Sequence, residues 1–242
     1  MTSLLLHPGL LLIAGGLLVA VLRGRLRAAA ILLLPLLALW LIWQAPDPAA
    51  AVTVQFLEHR LRPLAPDSLS RLFATIFAVM AFGGGLFALN QPSRLEVPAA
   101  FVYAGSAIGA AMAGDLLTLF VFWELMAIGS TLVLWSGGAS RASFRYLMVH
   151  LFGGVLLMAG IAGHVADTGS VEFTRMALDT PWHWLMLAGF LVNAGAPPLS
   201  AWLPDAYPEA SWSGMVFLSA FTTKTAVYVL LRGFPGNEIL IW

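Results

Sequence analysis

The sequence predicts an all-α integral membrane protein of about eight transmembrane helices, the seventh of them discontinuous at Pro197-Pro198. Three observations carry that prediction. Hydrophobic residues make up 60% of the chain and charged residues 10%, against about 25% charged in a typical globular domain, and the mean hydropathy is +0.88. Apolar stretches bounded by charges or Pro/Gly clusters recur, each near the roughly 20 residues a helix needs to cross about 30 Å of hydrocarbon. The stretches are continuous rather than alternating, so helices and not barrel strands satisfy the backbone.

The first run, Ser3 to Leu22, is too long for a cleaved signal peptide and no small-residue cleavage site follows it convincingly, so it reads as a retained helix. Ala28 to Trp43 is the second. The one sizeable polar insertion, residues 44–70, contains Val52-Thr53-Val54-Gln55-Phe56, whose alternation suits a strand or hairpin outside the membrane. Leu72 to Leu89, Val97 to Gly114, Leu116 to Trp135 and Tyr146 to Ala166 are the third to sixth runs, and a mixed loop from Asp167 to Pro181 leads to His183–Ala201 and Ser213–Leu231. Gly236 to Trp242 reads as the beginning of a ninth helix. A single membrane domain covers residues 1–242.

Arginines in the short connections set the orientation. Arg23, Arg25, Arg27, Arg94, Arg141 and Arg145 fall on one side, which places that side in the cytoplasm and the N-terminus outside. The absence of cysteine excludes disulfides and thiolate metal sites. Zero formal net charge argues against a nucleic-acid partner, and no residue pattern calls for a cofactor or a metal.

Chemistry concentrates where charge meets apolar sequence. Glu124 is the one formal charge between Asp115 and Arg141, and Lys224 the one between Glu209 and Arg232. Ionisable groups at membrane depth are expensive and usually line pathways. Burial pushes a carboxyl and an ammonium toward neutrality while mutual attraction holds both charged, so a pair that separates and rejoins exchanges protons. The competing reading is a static ion pair, or bonds to a hydroxyl such as Ser130 or Thr223. His150, in an apolar run, suits either a proton shuttle or a hydrogen-bonded core residue. His164 and His183 fall at run ends and read as interfacial.

The stretch Asn193-Ala194-Gly195-Ala196-Pro197-Pro198 must interrupt its helix, because two prolines remove donors and clash with the preceding turn. Broken helices at membrane depth occur where backbone lines a cavity, so Asn193, Pro197 and Pro198 are channel-lining candidates. Asp115 and Asp205 stand at run ends, as candidates for a mouth or gate.

Several of these segments together resemble one family. Asp115-Leu116-Leu117 through Phe122-Trp123-Glu124-Leu125, Pro197-Pro198-Leu199 with Trp202-Leu203-Pro204-Asp205-Ala206, Thr223-Lys224-Thr225-Ala226-Val227-Tyr228, and Pro66-Asp67-Ser68-Leu69-Ser70-Arg71-Leu72-Phe73 look like the proton-translocating transmembrane family. That family is shared by the D-type component of Mrp-type monovalent cation/proton antiporters and the antiporter-like subunits of respiratory complex I. The resemblance implies three N-terminal helices over residues 1–95 and a first five-helix repeat over 96–232, the second repeat being absent. It implies a proton half-channel through Glu124 and Lys224 in a subunit of the cell (inner) membrane, to which the reading of the residues themselves adds His150. Implied partners are other membrane subunits, including a chain with the second repeat, besides H⁺ and Na⁺ or K⁺. Any NADH/quinone oxidoreductase activity would reside in the complex. One position departs: the family's seventh-helix lysine belongs five residues before Pro198, where this chain has Asn193, so Glu124 must pair with Lys224 or with water held by Asn193. The alternative is a non-conducting scaffold subunit of the same kind of complex.

Overall fold

A computed structural model describes residues 7–47 and 52–237. The suggested ninth helix and the first residues of the first run lie mostly outside them. Among the described residues, six helical segments are long and apolar enough to cross a membrane and two apolar helices are shorter, Pro8–Val21 and Glu96–Met112. These eight correspond one to one with the eight apolar runs.

α1 (Pro8–Val21) begins with His7 as its cap. Its Nδ1 accepts from the amides of Gly9 and Leu10, so Nε2 carries the proton and donates to Pro63 O at 3.0 Å. α2 (Gly24–Gln44) is closed by Arg71 from the next helix, whose guanidinium donates to the carbonyls of Ile42 and Ala45 at 2.7 and 2.8 Å. A cation on the last carbonyls is what a helix C-terminus favours.

The polar insertion forms the expected hairpin, β1 (Val52–Phe56) pairing antiparallel with β2 (His59–Leu64). α3 (Ser68–Phe87) starts at Asp67, which accepts from Ser70 N and is gripped by Arg232 at 2.7 Å. Desolvation works to raise the Asp67 pKa, but the Ser70 amide and the Arg232 charge outweigh it and hold the carboxyl below its ordinary value.

α4 (Glu96–Met112) is the central helix, buried almost all round. Its small residues explain that position, because without a hydrophobic force between helices in lipid, close backbone approach supplies the packing. A Cβ on Gly105 would stand 2.5 Å from Gly9 O of α1, and one on Gly129 of the following helix would stand 2.7 Å from Tyr103 N. Gly105→Leu is therefore expected to destabilise the fold by about 3 kcal/mol, the upper part of the usual overpacking range. Loss of monodisperse protein in detergent would show it, and a variant as stable as the parent would refute this packing.

α5 (Leu116–Ser136) and α6 (Ser140–Thr168) follow, and then α7 (Pro181–Ala194). α7 stops earlier than the prolines require. Gly195 takes a left-handed φ of +67°, Ala196 N donates to Leu191 O, and Gly195 N donates to Val192 O, which is the Schellman closure. Pro197 and Pro198 lie past the break and prevent resumption. Short turns and α8 (Trp202–Ala206) lead to α9 (Trp212–Ala220) and α10 (Thr222–Gly233).

The eighth run is thus two helices where one was expected. No glycine or proline causes this break. Instead the Thr222 amide donates to the Tyr103 hydroxyl at 2.9 Å, while Leu218 O accepts from the Tyr207 hydroxyl at 2.9 Å. Tyrosine hydroxyls replace the bond that Thr222 N and Leu218 O would have made within the helix. Outside, Leu17, Trp40, Phe152 and Val155 are among many exposed apolar side chains, the surface a bilayer covers.

Candidate functional site

The site is built on α5, α6 and the broken end of α7. Gly153 and Gly154 of α6 leave room on adjacent faces for polar side chains from its two neighbours. Glu124 of α5 lays its carboxylate over Gly154, where a Cβ would stand 2.1 Å from Oε1. Asn193, fully buried on α7, lies against Gly153, where a Cβ would stand 3.2 Å from Oδ1. His150, 1% exposed, is one turn before the glycine pair.

Hydrogen bonding sorts these residues sharply. Nδ1 of His150 lies 2.9 Å from Tyr146 O, which can only accept, so Nδ1 holds the proton and Nε2 keeps its lone pair. That Nε2, Glu124 Oε1 and both polar atoms of Asn193 are buried without a partner among the described residues. The His150 ring stacks on Tyr146 at 3.9 Å and meets Trp202 edge-on at 4.8 Å. Trp202 Nε1 donates to Val192 O at 2.9 Å, which ties α8 across the α7 break. A cavity of about 380 Å³, lined by Val149, Val192, Pro198, Leu199 and Trp202 among others, opens beside that break.

Hydroxyls extend the polar line toward the second break. Tyr103 and Tyr146 both reach Thr222 Oγ1, the former in a short bond and the latter at 3.5 Å. Sequence reasoning missed these tyrosines and Thr222, because a hydroxyl within an apolar run looks like ordinary packing.

Other candidates are placed differently. Lys224 is exposed on α10, with Nζ donating to Thr223 Oγ1 at 3.1 Å, and forms no ion pair with Glu124 among the described residues. The expected pairing is therefore not made among the described residues: Glu124 faces α6, while the third residue of α10 faces away. Asp115 is no open mouth. It is 1% exposed, caps α5 through Thr118 N and Oγ1 at 2.7 Å each, and accepts from Arg62 N of β2 at 2.7 Å. Asp205 forms a two-bond pair with Arg145, at 2.6 and 2.8 Å, on the exposed end of α6. His164 and His183 meet each other at 3.1 Å near the α6–α7 connection.

Fold and site together define a class: a mostly helical, multi-pass membrane protein with polar groups buried beside a broken helix and without partners among the described residues. Known proteins carry the assignment further. Residues 113–240 match the family NADH:quinone oxidoreductase/Mrp antiporter, transmembrane, and the chain belongs to it. The chain is 26% identical over 207 residues to the D component of the Na(+)/H(+) antiporter of Alkalihalophilus pseudofirmus, covering 76% of this chain and 42% of that protein. It is 31% identical over 196 residues to NADH-quinone oxidoreductase subunit M of Escherichia coli, covering 70% of this chain and 38% of that protein. Its fold superposes on a chain of the membrane-bound sulfane sulfur reductase, an archaeal respiratory membrane complex, with a TM-score of 0.80 and 24% identity, covering 96% of this chain and 52% of that one. The chain thus spans about two fifths of the length of these curated relatives.

Proposed function

We propose that this chain is a membrane subunit of a multi-subunit monovalent cation/proton antiporter, or of a related proton-pumping complex, and supplies a proton half-channel in the cell membrane. One observation carries the reading: Glu124 Oε1 at Gly154, the Asn193 amide at Gly153 and His150 Nε2 one turn earlier on α6 are buried with nothing to bond among the described residues. Each such group costs about 1–3 kcal/mol if left dry, so the arrangement suits water, and water between a carboxylate and an imidazole lone pair conducts protons. The Tyr103–Thr222–Tyr146 hydroxyls extend that route toward the end bearing Arg94, Arg141 and Arg145. That end faces the cytoplasm in this reading, with the N-terminus outside. Residues 96–232 act as the first five-helix unit, behind the N-terminal helices of residues 1–95.

Lys224 then serves as the hand-over group. It lies near the middle of the Trp212–Gly233 span yet on its outer face, and a lysine facing lipid there costs about 2.5–3.5 kcal/mol on insertion scales. Further protein covering that face relieves the cost, so partner elements, including those of a second repeat, belong against α10.

The uncharged Asn193 favours a second reading, a scaffold subunit that docks partners without conducting. Asn193→Lys separates the two. In vesicles carrying the assembled complex, proton movement followed with a pH-sensitive dye is expected to rise in this variant. Proton movement undetectable in both parent and variant would leave the scaffold reading standing.

A further inference from the structure

We propose that Glu96 and the oxygens gathered on it form a binding site for an alkali-metal cation, separate from the Glu124 site. Glu96 is fully buried at the first turn of α4. Ser211 Oγ donates to its Oε2 at 2.7 Å and Ser136 Oγ lies 3.4 Å from the same oxygen, while Ser213 Oγ makes a short bond to Oε1. Gln91 Nε2 spans both carboxylate oxygens at 3.1 and 3.2 Å, and stands 2.6 Å from Ser213 Oγ and 3.3 Å from Ser211 Oγ. Three separate segments, at Gln91, Ser136 and Ser211–Ser213, thus converge on one carboxylate.

Every one of these donors is neutral. Among the described residues no lysine, arginine or histidine forms an ion pair with Glu96, and Arg94, two residues away, is exposed. Burying a lone carboxylate costs several kcal/mol even after relaxation, so a compensating positive charge is strongly favoured. The group collects two carboxylate oxygens and three hydroxyl oxygens, and a turn of the Gln91 amide presents its carbonyl oxygen in place of Nε2. Carboxylate, hydroxyl and carbonyl oxygens are the ligands of hard cations. The hydroxyl hydrogens rotate freely, so oxygens that donate to the carboxylate can turn their lone pairs toward an ion instead.

Charge selects the valence. One carboxylate neutralises one monovalent ion, whereas a divalent ion would leave a buried positive charge uncompensated. Access is present too: Ser136 and Ser211 are partly exposed while Glu96, Gln91 and Ser213 are buried, so the ring opens at the end bearing Arg94 and Arg141. Ser136 stands three helical turns beyond Glu124 on α5, about 18 Å at the helical rise per residue, and this site is independent of the half-channel.

Binding of radioactive sodium to the purified, intact complex tests the proposal. Saturable binding, displaced by excess Li⁺ or K⁺, is expected to weaken in Glu96→Gln by at least about tenfold, the lower end of what losing even an outer-shell partner costs a metal site. Ser213→Ala, which keeps the charge, should weaken it in the same direction, and Glu124→Gln should leave it unchanged. Binding as in the parent in Glu96→Gln, or in Ser213→Ala should Glu96→Gln fail to assemble, would overturn the site. Loss in Glu124→Gln alone would move the ion to the other site, and displacement by Ca²⁺ in preference to alkali ions would overturn the valence.

Discussion

Glu124→Gln is expected to lower proton movement by the assembled complex at least about a hundredfold, the usual lower bound for removing a positioned proton-transfer group, with no loss of assembly. The amide has nearly the shape of the carboxylate but cannot take up and release a proton. Structural cost should be small, because Oε1 has no hydrogen bond to lose among the described residues and the carboxylate rests on the open face of Gly154. The measurement is dye quenching in sealed vesicles after an energising pulse, beside a check of subunit content on a native gel. A variant that assembles and moves protons at the parent rate would end the half-channel reading.

Gly154→Leu should produce nearly the same transport defect with Glu124 intact. A Cβ at residue 154 would stand 2.1 Å from Glu124 Oε1 and 2.9 Å from its carboxyl carbon, closer than atoms pack, so the carboxylate must leave its place beside α6. Overpacking of this kind costs about 1–3 kcal/mol, which a multi-span protein can absorb with reduced yield. Gly83→Leu is the control, since a Cβ there meets nothing within 4 Å, and it should transport normally. Parent-like transport in Gly154→Leu would show that the carboxylate works equally well away from the Gly153–Gly154 step.

Much of the architecture is legible in the sequence. Each span is a contiguous apolar run with polar residues at its ends, so eight spans and the Val52–Phe56 hairpin strand can be read locally. The break after Asn193 is legible as well, although the sequence places it at the prolines. Its actual onset at Gly195 depends on a left-handed closure that a glycine permits but does not announce. The break at Phe221 leaves no trace in composition, for its causes are the hydroxyls of Tyr103, more than a hundred residues away in the chain, and of Tyr207, on a separate turn.

Candidate site residues divide in the same manner. Glu124, His150 and Asn193 stand out as polar groups in apolar runs; the fold lays Glu124 and Asn193 on adjacent faces of α6, the helix that carries His150 one turn earlier. Glu96 escapes notice because it follows Arg94 at a run boundary, where an acid reads as solvated; the fold lays Gln91, Ser211 and Ser213 over it instead. Asp115 looks like a mouth for the same reason and proves to be a buried cap.

Sequence alone determined that this chain crosses a bilayer as helices and which few ionisable groups travel with them, since hydropathy and backbone satisfaction are properties of each segment by itself. Tertiary structure decided which way those groups face. Helix rotation is set by contacts such as Gly9 against Gly105 and Gly154 against Glu124, between residues far apart in the chain, and those contacts turn Lys224 outward, Glu124 inward and Glu96 into a ring of oxygens.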